Sequence, residues 1–133
     1  MTGPTHCFTP DLLQGKRALV TGGGTGIGRA IAIALAQAGA DLILAARQLP
    51  ALQATAKEIE TETGRNVLVT QVDIRSLESV QTLAEFVTEN GAQVDILVNN
   101  AGGQFPQAAE NYSANGWRSI IDLNLNGTWN VTQ

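Results

Sequence analysis

A glycine-rich turn between an apolar strand and an apolar helix constrains this chain more than any other stretch. Residues 18–29 read ALVTGGGTGIGR, so a short buried strand enters the turn and a helix leaves it. Glycine at positions 22, 26 and 28 removes Cβ atoms that would block a phosphate from the backbone and the helix from the strand. The helix that follows directs its N-terminal N–H groups and its dipole at an anion over the turn.

The spacing of these glycines decides between three known patterns of nucleotide-binding loop. A Walker-type loop requires Gly-Lys-Ser/Thr, whereas this chain has Gly28-Arg29-Ala30. The pattern G-x-G-x-x-G also fails, because Ile27 stands where the third glycine is required. The pattern T-G-x-x-x-G-x-G fits residues 21–28 and indicates a dinucleotide site. The residues assigned to this site are Gly22, Gly24, Thr25, Gly26, Ile27 and Gly28.

Composition argues against several other classes of protein. The 133 residues carry a formal net charge of −4 and are 44% hydrophobic, which is typical of a single soluble globular domain. We expect no nucleic-acid partner, because Lys and Arg do not cluster, and no membrane partner, because no apolar run approaches ~20 residues. Cys7 is the single cysteine, so we expect a cytoplasmic protein without disulfides. His6 and Cys7 lack further ligands at suitable spacing, and no metal site is expected.

Strand and helix patterns alternate four times along the chain. Short links between them predict βαβ units, and hence an α/β fold with a Rossmann-type doubly wound parallel sheet, of which four βα units form the N-terminal half. The first helix is predicted to pack its larger apolar side chains, Ile27, Ile31 and Leu35, with Ala34 and Ala38, on the sheet. The predicted strands are 17–21, 41–46, 66–72 and 95–98, and the predicted helices are 26–38, 50–62, 76–89 with Ser76 as N-cap, and 114 onward.

The residues after the second strand bear on the choice of cofactor. An NAD site usually places a carboxylate there for the ribose 2′-hydroxyl, whereas an NADP site uses an arginine for the 2′-phosphate. Ala46 stands in the place of the acid, and Arg47 follows it. A guanidinium binds phosphate through charge-assisted hydrogen bonds, to which Thr25 could add a hydroxyl. The pattern favours NADP(H), and a solvated surface arginine is the alternative.

The ends of the third and fourth strands supply further candidates. Asp73, with Ile74 beside it, follows the third strand, where an adenine would lie. The alternative for Asp73 is a cap of the next helix, and Arg75 by residue type alone is a solvated cation. Residues 99–102, Asn-Asn-Ala-Gly, offer small side chains that let the backbone approach a cofactor, with an ordinary Asn-Gly loop as the alternative.

Taken together, these motifs resemble the short-chain dehydrogenase/reductase family over about residues 14–133. The resemblance implies a Rossmann-type fold and hydride transfer between a nicotinamide cofactor and a small-molecule substrate. It implies that Asn100, Ala101 and Gly102 line the adenosine-ribose side. It also implies that Asn124, within Asp-Leu-Asn-Leu, is the asparagine of the catalytic set and holds a water in the proton relay. A homo-oligomer is implied as well, because helices like the one after residue 114 often form the subunit interface.

A closer resemblance comes from residues 102–105 (Gly-Gly-Gln-Phe), 115–117 (Asn-Gly-Trp) and 124–128 (Asn-Leu-Asn-Gly-Thr). This run is similar to the enoyl-CoA and 2,4-dienoyl-CoA reductase branch, including peroxisomal trans-2-enoyl-CoA reductase, which uses NADPH. By alignment with that branch, Arg75, Phe105 and Ser113 would face an acyl-CoA substrate. A ketone or alcohol oxidoreductase on the same scaffold is the alternative.

The proton-donating part of the family pattern does not occur in the sequence. The family's catalytic serine and Tyr-x-x-x-Lys follow the asparagine, and the one tyrosine here, Tyr112, has Gly116 four residues later instead of lysine. We therefore expect residues 1–133 to be an NADP-binding Rossmann-type domain, the N-terminal part of a longer reductase. The alternative is a nucleotide-binding half-domain without catalysis.

Overall fold

The computed structural model describes residues 8–133, so the His6–Cys7 pair lies outside the described residues. Four parallel strands form one sheet with the order β3-β2-β1-β4. The chain builds outward from β1 through β2 to β3, and then crosses to the other side of β1 for β4. This reversal confirms the predicted doubly wound sheet. The strands are β1 (Arg17–Thr21), β2 (Asp41–Ala46), β3 (Val67–Gln71) and β4 (Ile96–Val98).

Helices follow every strand, as predicted. The bounds of β1 and β2 agree with the prediction residue for residue, and those of the other strands and the first three helices differ by one or two residues. Ser76 is the N-cap of α3, because its hydroxyl accepts a hydrogen bond from the Ser79 amide at 3.2 Å. The helices are α1 (Gly26–Gln37), α2 (Leu49–Thr63), α3 (Leu77–Glu89), α4 (Ala114–Ile121) and α5 (Gly127–Thr132).

The two faces of the sheet carry separate hydrophobic cores. Val20 and Leu44 pack with buried residues of α1 and α2 on one face. Leu19 and Ile43 pack with residues of α3 and with Val131 of α5 on the other face. Because side chains alternate along a strand, β1 and β2 are covered on both sides, which explains their continuous apolar sequences.

The sheet-facing side of α1 differs from the prediction. The buried residues of this helix are Gly28, Ala32 and Ala36, whereas Ile27 is 75% exposed and Ala34 is also exposed. The three buried positions are four residues apart and present the smallest side chains of the helix. Leu35 packs against this core as predicted, and Ile33 does so too, but the positions of α1 nearest the sheet have room only for glycine and alanine.

The helix predicted from residue 114 is interrupted rather than continuous. A π-helical turn, Asp122–Asn126, separates α4 from α5, and the Gly127 amide donates to the Asp122 carbonyl five residues earlier. Gly127 is buried at this point, and a Cβ placed there would lie 2.7 Å from Ile74 Cδ1. The extra residue in the turn allows the helix to meet the segment after β3 at close range.

Among residues 8–133, no helix is both long enough and apolar enough to cross a membrane.

Candidate functional site

A cleft of about 270 Å³ opens where the carboxyl ends of the strands meet. This is the edge at which an open α/β sheet places its ligands. The cleft brings together eight of the predicted cofactor residues, and these are Gly22, Gly24, Thr25, Arg47, Asp73, Ile74, Ala101 and Gly102. The remaining four, Gly26, Ile27, Gly28 and Asn100, do not line it. Sequence reasoning missed Gln48 and Ala51, which the first turn of α2 brings to the wall directly after Arg47.

Two glycines of the turn allow the close approach expected of them. A Cβ at Gly28 would lie 2.8 Å from the carbonyl carbon of Gly22 and closer still to its oxygen. A Cβ at Gly22 would lie 2.7 Å from Asn100 Nδ2. Gly26 has a different requirement, because its φ is +53° and no protein atom lies within 4 Å of its Cβ position. The helix therefore approaches the strand at Gly28 and not at Gly26.

The glycine-rich turn is tied to the loop after β4 by two side chains. The Asn100 amide donates to the carbonyl oxygens of Thr21 at 3.0 Å and Gly22 at 3.3 Å. The Thr21 hydroxyl, which is 1% exposed, accepts from the backbone amides of Asn100 at 3.1 Å and Ala101 at 2.9 Å. Asn100 thus holds the glycine-rich turn against the loop after β4 without lining the cleft itself. The sequence pattern includes Thr21 but gave no indication of this contact.

Helix α2 also contacts the glycine-rich turn. The Thr55 hydroxyl is 2% exposed and donates to the Gly24 carbonyl at 3.0 Å. A Cβ at Gly24 would lie 3.1 Å from the Ala51 carbonyl carbon, so the turn rests directly on the helix backbone. Sequence reasoning placed Thr55 at no site, although its position one turn after Ala51 on the buried side of α2 was a usable signal.

Arg47 stands at the cleft without an ion-pair partner among the described residues, although its charge helps to lower the pKa of the nearby Asp73. Within residues 8–133, no carboxylate forms an ion pair with its guanidinium. Its backbone carbonyl accepts a hydrogen bond from Gln71 Nε2 at 3.0 Å. The Arg47 guanidinium is therefore available for an anionic ligand in the cleft.

Asp73 is already paired. Its carboxylate accepts from Arg75 Nε at 2.9 Å and Nη2 at 2.6 Å, and also from the Arg75 backbone amide at 3.1 Å. The Arg75 side-chain hydrogen bond is the main cause that lowers the pKa of Asp73 from 3.8 to about 2. The helix cap is Ser76, so Asp73 does not take the capping role considered above. Arg75 is likewise not the freely solvated cation that its residue type suggested.

The three predicted substrate residues do not lie together. Phe105 and Ser113 meet at the start of α4, where a Cβ on Gly116 would lie 3.1 Å from Phe105 Cζ and 3.2 Å from Ser113 Oγ. The Ser113 hydroxyl caps α4 by accepting from the Gly116 amide at 3.0 Å. Arg75 borders a different groove, with Ser119 and Trp129.

Asn124 lies in the π-helical turn and faces the loop after β4. Its Nδ2 donates to the carbonyls of Gly103 at 2.7 Å and Ile120 at 3.0 Å, and its Oδ1 accepts from the Gly103 amide at 3.1 Å. The side chain therefore fixes the loop that continues from Gly102 at the cleft wall. Its backbone carbonyl accepts from the Thr128 hydroxyl at 2.8 Å.

The residue types that line the cleft suit a nucleotide. Among the residues that the structure describes, His, Cys, Asp and Glu nowhere group in threes or more that could hold a metal ion. The cleft instead combines glycine backbone, the Thr25 hydroxyl, one free guanidinium and the apolar surfaces of Val72 and Ile74. Such a wall can accept phosphates at one end and a flat base at the other.

The chain matches the short chain dehydrogenase family over residues 16–133. The chain belongs to this family. Members of the short-chain dehydrogenase family are oxidoreductases that bind nicotinamide cofactors, and the family resemblance identified from the sequence is confirmed. The parallel sheet with its flanking helices is the fold of the family's solved structures.

Curated members of the family include reductases of acyl-CoA substrates. The chain is 36% identical over 129 residues to a peroxisomal 2,4-dienoyl-CoA reductase of Danio rerio, covering 97% of this chain and 43% of that protein. It is 46% identical over 131 residues to a probable 2,4-dienoyl-CoA reductase of Caenorhabditis elegans, covering 95% and 42%. The chain thus spans less than half the length of these relatives.

Solved members of the family superpose closely on the described residues. A citronellol catabolism dehydrogenase of Pseudomonas aeruginosa PAO1 matches with a TM-score of 0.86 and 40% identity, over 95% of this chain and 51% of that one. An L-sorbose reductase of Gluconobacter frateurii, complexed with NADPH and L-sorbose, matches with a TM-score of 0.87 and 31% identity, over 93% and 47%.

Proposed function

We propose that residues 1–133 are the cofactor-binding domain of an NADPH-dependent oxidoreductase that reduces the C=C bond of an enoyl- or dienoyl-CoA. The observation that carries the cofactor assignment is the free guanidinium of Arg47 at the cleft, next to Ala46 where an NAD site has its carboxylate. The L-sorbose reductase with bound NADPH is consistent with this assignment.

The charges at the cleft support the 2′-phosphate hypothesis. Asp73, the one carboxylate among the lining residues, is neutralised by its bidentate pair with Arg75. Arg47 is the one cation among the same residues, and Thr25 adds a hydroxyl from the glycine-rich turn after the neighbouring strand β1. A phosphate on the adenosine ribose would therefore meet a net attractive site. In the same proposal, Gly22 and Gly24 would lie against the pyrophosphate, and Ala101 and Gly102 against the ribose. Gly26, Ile27, Gly28 and Asn100, which do not line the cleft, would shape the turn and the loop that carry these contacts.

The first prediction concerns Arg47. Replacing it with alanine should weaken NADPH binding about 10- to 100-fold, as expected for the loss of hydrogen bonds between charged groups, and should leave NADH affinity nearly unchanged. The measurement is a fluorescence titration of the full-length gene product with both cofactors. The matched control is Arg65→Ala, because Arg65 lies at the opposite end of β3 and contacts the Gly39 carbonyl. Equal losses for NADPH and NADH would contradict the 2′-phosphate assignment.

The acyl-CoA assignment is supported by the names of the two dienoyl-CoA reductases. When bound, NADPH would supply a hydride to the β-carbon of an enoyl-CoA, and the α-carbon would take a proton. For a 2,4-dienoyl-CoA that gives a 3-enoyl product, as the names of these relatives state, the hydride would go to the δ-carbon, the proton to the α-carbon, and the remaining C=C bond would lie between C3 and C4. In this proposal Asn124 keeps the loop after Gly102 in place and holds the water of the proton relay, while Phe105, Ser113 and Arg75 contact the substrate. The proton donor is assigned to no residue of this chain.

Ketone or alcohol turnover is the second candidate, because both solved structures quoted above are named for other substrates. The deciding experiment offers crotonyl-CoA, a 2,4-dienoyl-CoA and simple ketones to the full-length protein and follows NADPH consumption. Turnover of the CoA esters supports the first candidate, and turnover of ketones alone supports the second. Saturable NADPH binding without any turnover would leave a nucleotide-binding module.

A homo-oligomer formed through α4 and α5 belongs to the same proposal. Trp117, Leu125 and Trp129 are each more than half exposed on this segment, and Trp129 is 63% exposed. Large exposed apolar side chains of this kind mark interaction surfaces. Replacing Trp129 with glutamate should shift the sedimentation of the full-length protein towards the monomer, and an unchanged profile would argue against this surface.

The same proposal places the protein in the cytoplasm. The single cysteine favours the cytoplasm, and the name of the Danio rerio relative makes the peroxisome the competing compartment. Imaging of the tagged full-length protein in cells would decide between the two.

A further inference from the structure

The backbone that carries Arg47 is held in place by the side chain of Gln71. The last backbone rung between β2 and β3 is the Val72 amide donating to the Ala46 carbonyl at 3.0 Å. One residue further along β2, the Gln71 Nε2 donates to the Arg47 carbonyl at 3.0 Å. The Gln71 amide thus adds a rung to the parallel ladder after the backbone pairing has ended.

Among the described residues, Gln71 supplies the hydrogen bond to the Arg47 carbonyl, because the backbone bonds of the first turn of α2 begin at the Gln48 carbonyl. Gln48, the residue after Arg47, is the N-cap of α2, but its side chain makes no capping hydrogen bond. Its φ of −103° and ψ of 96° keep the exit from β2 extended. The Arg47 side chain has several rotatable bonds, so a guanidinium on an unanchored backbone would lose more freedom when it binds a phosphate.

We infer that Gln71 is a positioning residue that fixes Arg47 for its ligand and thereby sets the preference between NADPH and NADH. Gln71 does not line the cleft, so it acts through the Arg47 backbone and not by touching the cofactor. The inference rests on the proposed function, because it assumes that Arg47 binds the 2′-phosphate.

The test is a double-mutant cycle on the full-length protein with Gln71→Ala, Arg47→Ala and the pair. NADPH and NADH dissociation constants are measured by fluorescence titration. Gln71→Ala should weaken NADPH binding about three- to tenfold, the usual range for one lost hydrogen bond, and should change NADH binding less than twofold. In the Arg47→Ala background the same change should have no further effect on NADPH, because the two residues act as one unit.

Two further variants separate the hydrogen bond from general effects. Gln71→Met keeps the length of the side chain but cannot donate to the carbonyl, so it should behave like Gln71→Ala. Gln81→Ala removes an exposed glutamine on α3, which contacts Glu85, and should leave both affinities unchanged. Urea unfolding of each variant checks that the fold is intact.

The possible outcomes distinguish the inference from the proposed function. If Gln71→Ala weakens NADPH and NADH equally, or weakens NADPH further when Arg47 is already absent, the positioning role is wrong. If Arg47→Ala discriminates between the cofactors while the Gln71 variants do not, the inference falls and the proposed function stands. If Arg47→Ala weakens NADPH and NADH binding equally, both the positioning role of Gln71 and the proposed NADPH assignment are wrong.

Discussion

Gly28 is the residue where the first helix, the glycine-rich turn and the loop after β4 come closest to one another. The space for its missing Cβ is already taken by the Gly22 carbonyl and the Asn100 amide. Neither group can move freely, because Asn100 donates to Gly22 and to Thr21. A side chain at Gly28 would therefore displace the turn, and with it the wall of the cleft.

Replacing Gly28 with alanine should destabilise the protein by about 1–3 kcal/mol, the usual cost of overpacking, and should weaken NADPH binding at least tenfold. The control is Gly64→Ala at the end of α2. Gly64 has a φ of +68° but no atom within 4 Å of its Cβ position. This variant should lose about 1–2 kcal/mol from backbone strain alone. It should keep its NADPH affinity, and a parallel loss of affinity in both variants would contradict the local explanation. Urea unfolding and NADPH titration supply the two readouts.

Asp73 is expected to make the stability of the fold depend on pH in the acidic range. Its pKa is lowered from 3.8 to about 2 by Arg75, so the pair stabilises the fold above pH 4 and that contribution is lost as the pH falls towards 2. The free energy difference between the wild type and Asp73→Asn should therefore shrink over this range. Urea unfolding at several pH values measures it, with Glu110→Gln as the control for losing one negative charge. A difference that stays constant with pH would show that the ion pair contributes nothing to stability.

At the scale of elements, the caps determine where the later helices begin. The Ser76 hydroxyl accepts from the Ser79 amide, and the Ser79 hydroxyl in turn accepts from the Asp73 amide at 2.9 Å. Ser76→Ala should cost about 1 kcal/mol of unfolding free energy, the typical value for an N-cap. Ser119→Ala is the control, because Ser119 lies within α4 and alanine is favoured at such positions. Thermal unfolding of both variants tests this, and equal stability of the two would argue against the cap.

Element bounds were predictable because they depend on local signals. The glycines, the Ser76 cap and the apolar runs of β1 and β2 fix where each element starts and stops. The orientation of a helix depends instead on its neighbours. Ala32 and Ala36 of α1 face the sheet instead of Ile27, because the helix lies close to the rest of the structure at Gly28. The hydrophobic periodicity of the sequence gives no information about that distance. The π-helical turn was missed for the same reason, since it follows from the contact between Gly127 and Ile74.

The partners of the charged side chains were not predictable from the sequence either. Glu58 of α2 accepts a hydrogen bond from Arg29 Nε of α1 at 3.0 Å, and the two residues lie 29 positions apart in the sequence. Arg75 was assigned to the substrate by alignment and is bound to Asp73 in the structure. The residues of the cleft were predictable because strand ends converge by topology, whereas the partner chosen by each charged side chain depends on the tertiary structure.

At the scale of the whole molecule, the sheet is buried unevenly. Residues of the central strands β1 and β2 are almost all fully buried, whereas no residue of β3 or β4 is. The cleft lies above the well-buried centre, and its walls come from all four strand ends. A ligand in the cleft would therefore contact the segments that follow all four strands, and binding should stabilise the sheet as a unit.

The ties between the glycine-rich turn and the loop after β4 have a consequence for the order of folding. The Thr21 hydroxyl bonds to amides 79 and 80 residues away, so the turn is held in its final form by a part of the chain that is synthesised much later. Closing a loop of that length is entropically costly and belongs to the slow, non-local steps of folding. A nascent chain that has formed β1, α1 and β2 already contains every glycine of the motif but lacks this support. Cofactor affinity should therefore appear late in folding, when β4 joins the sheet.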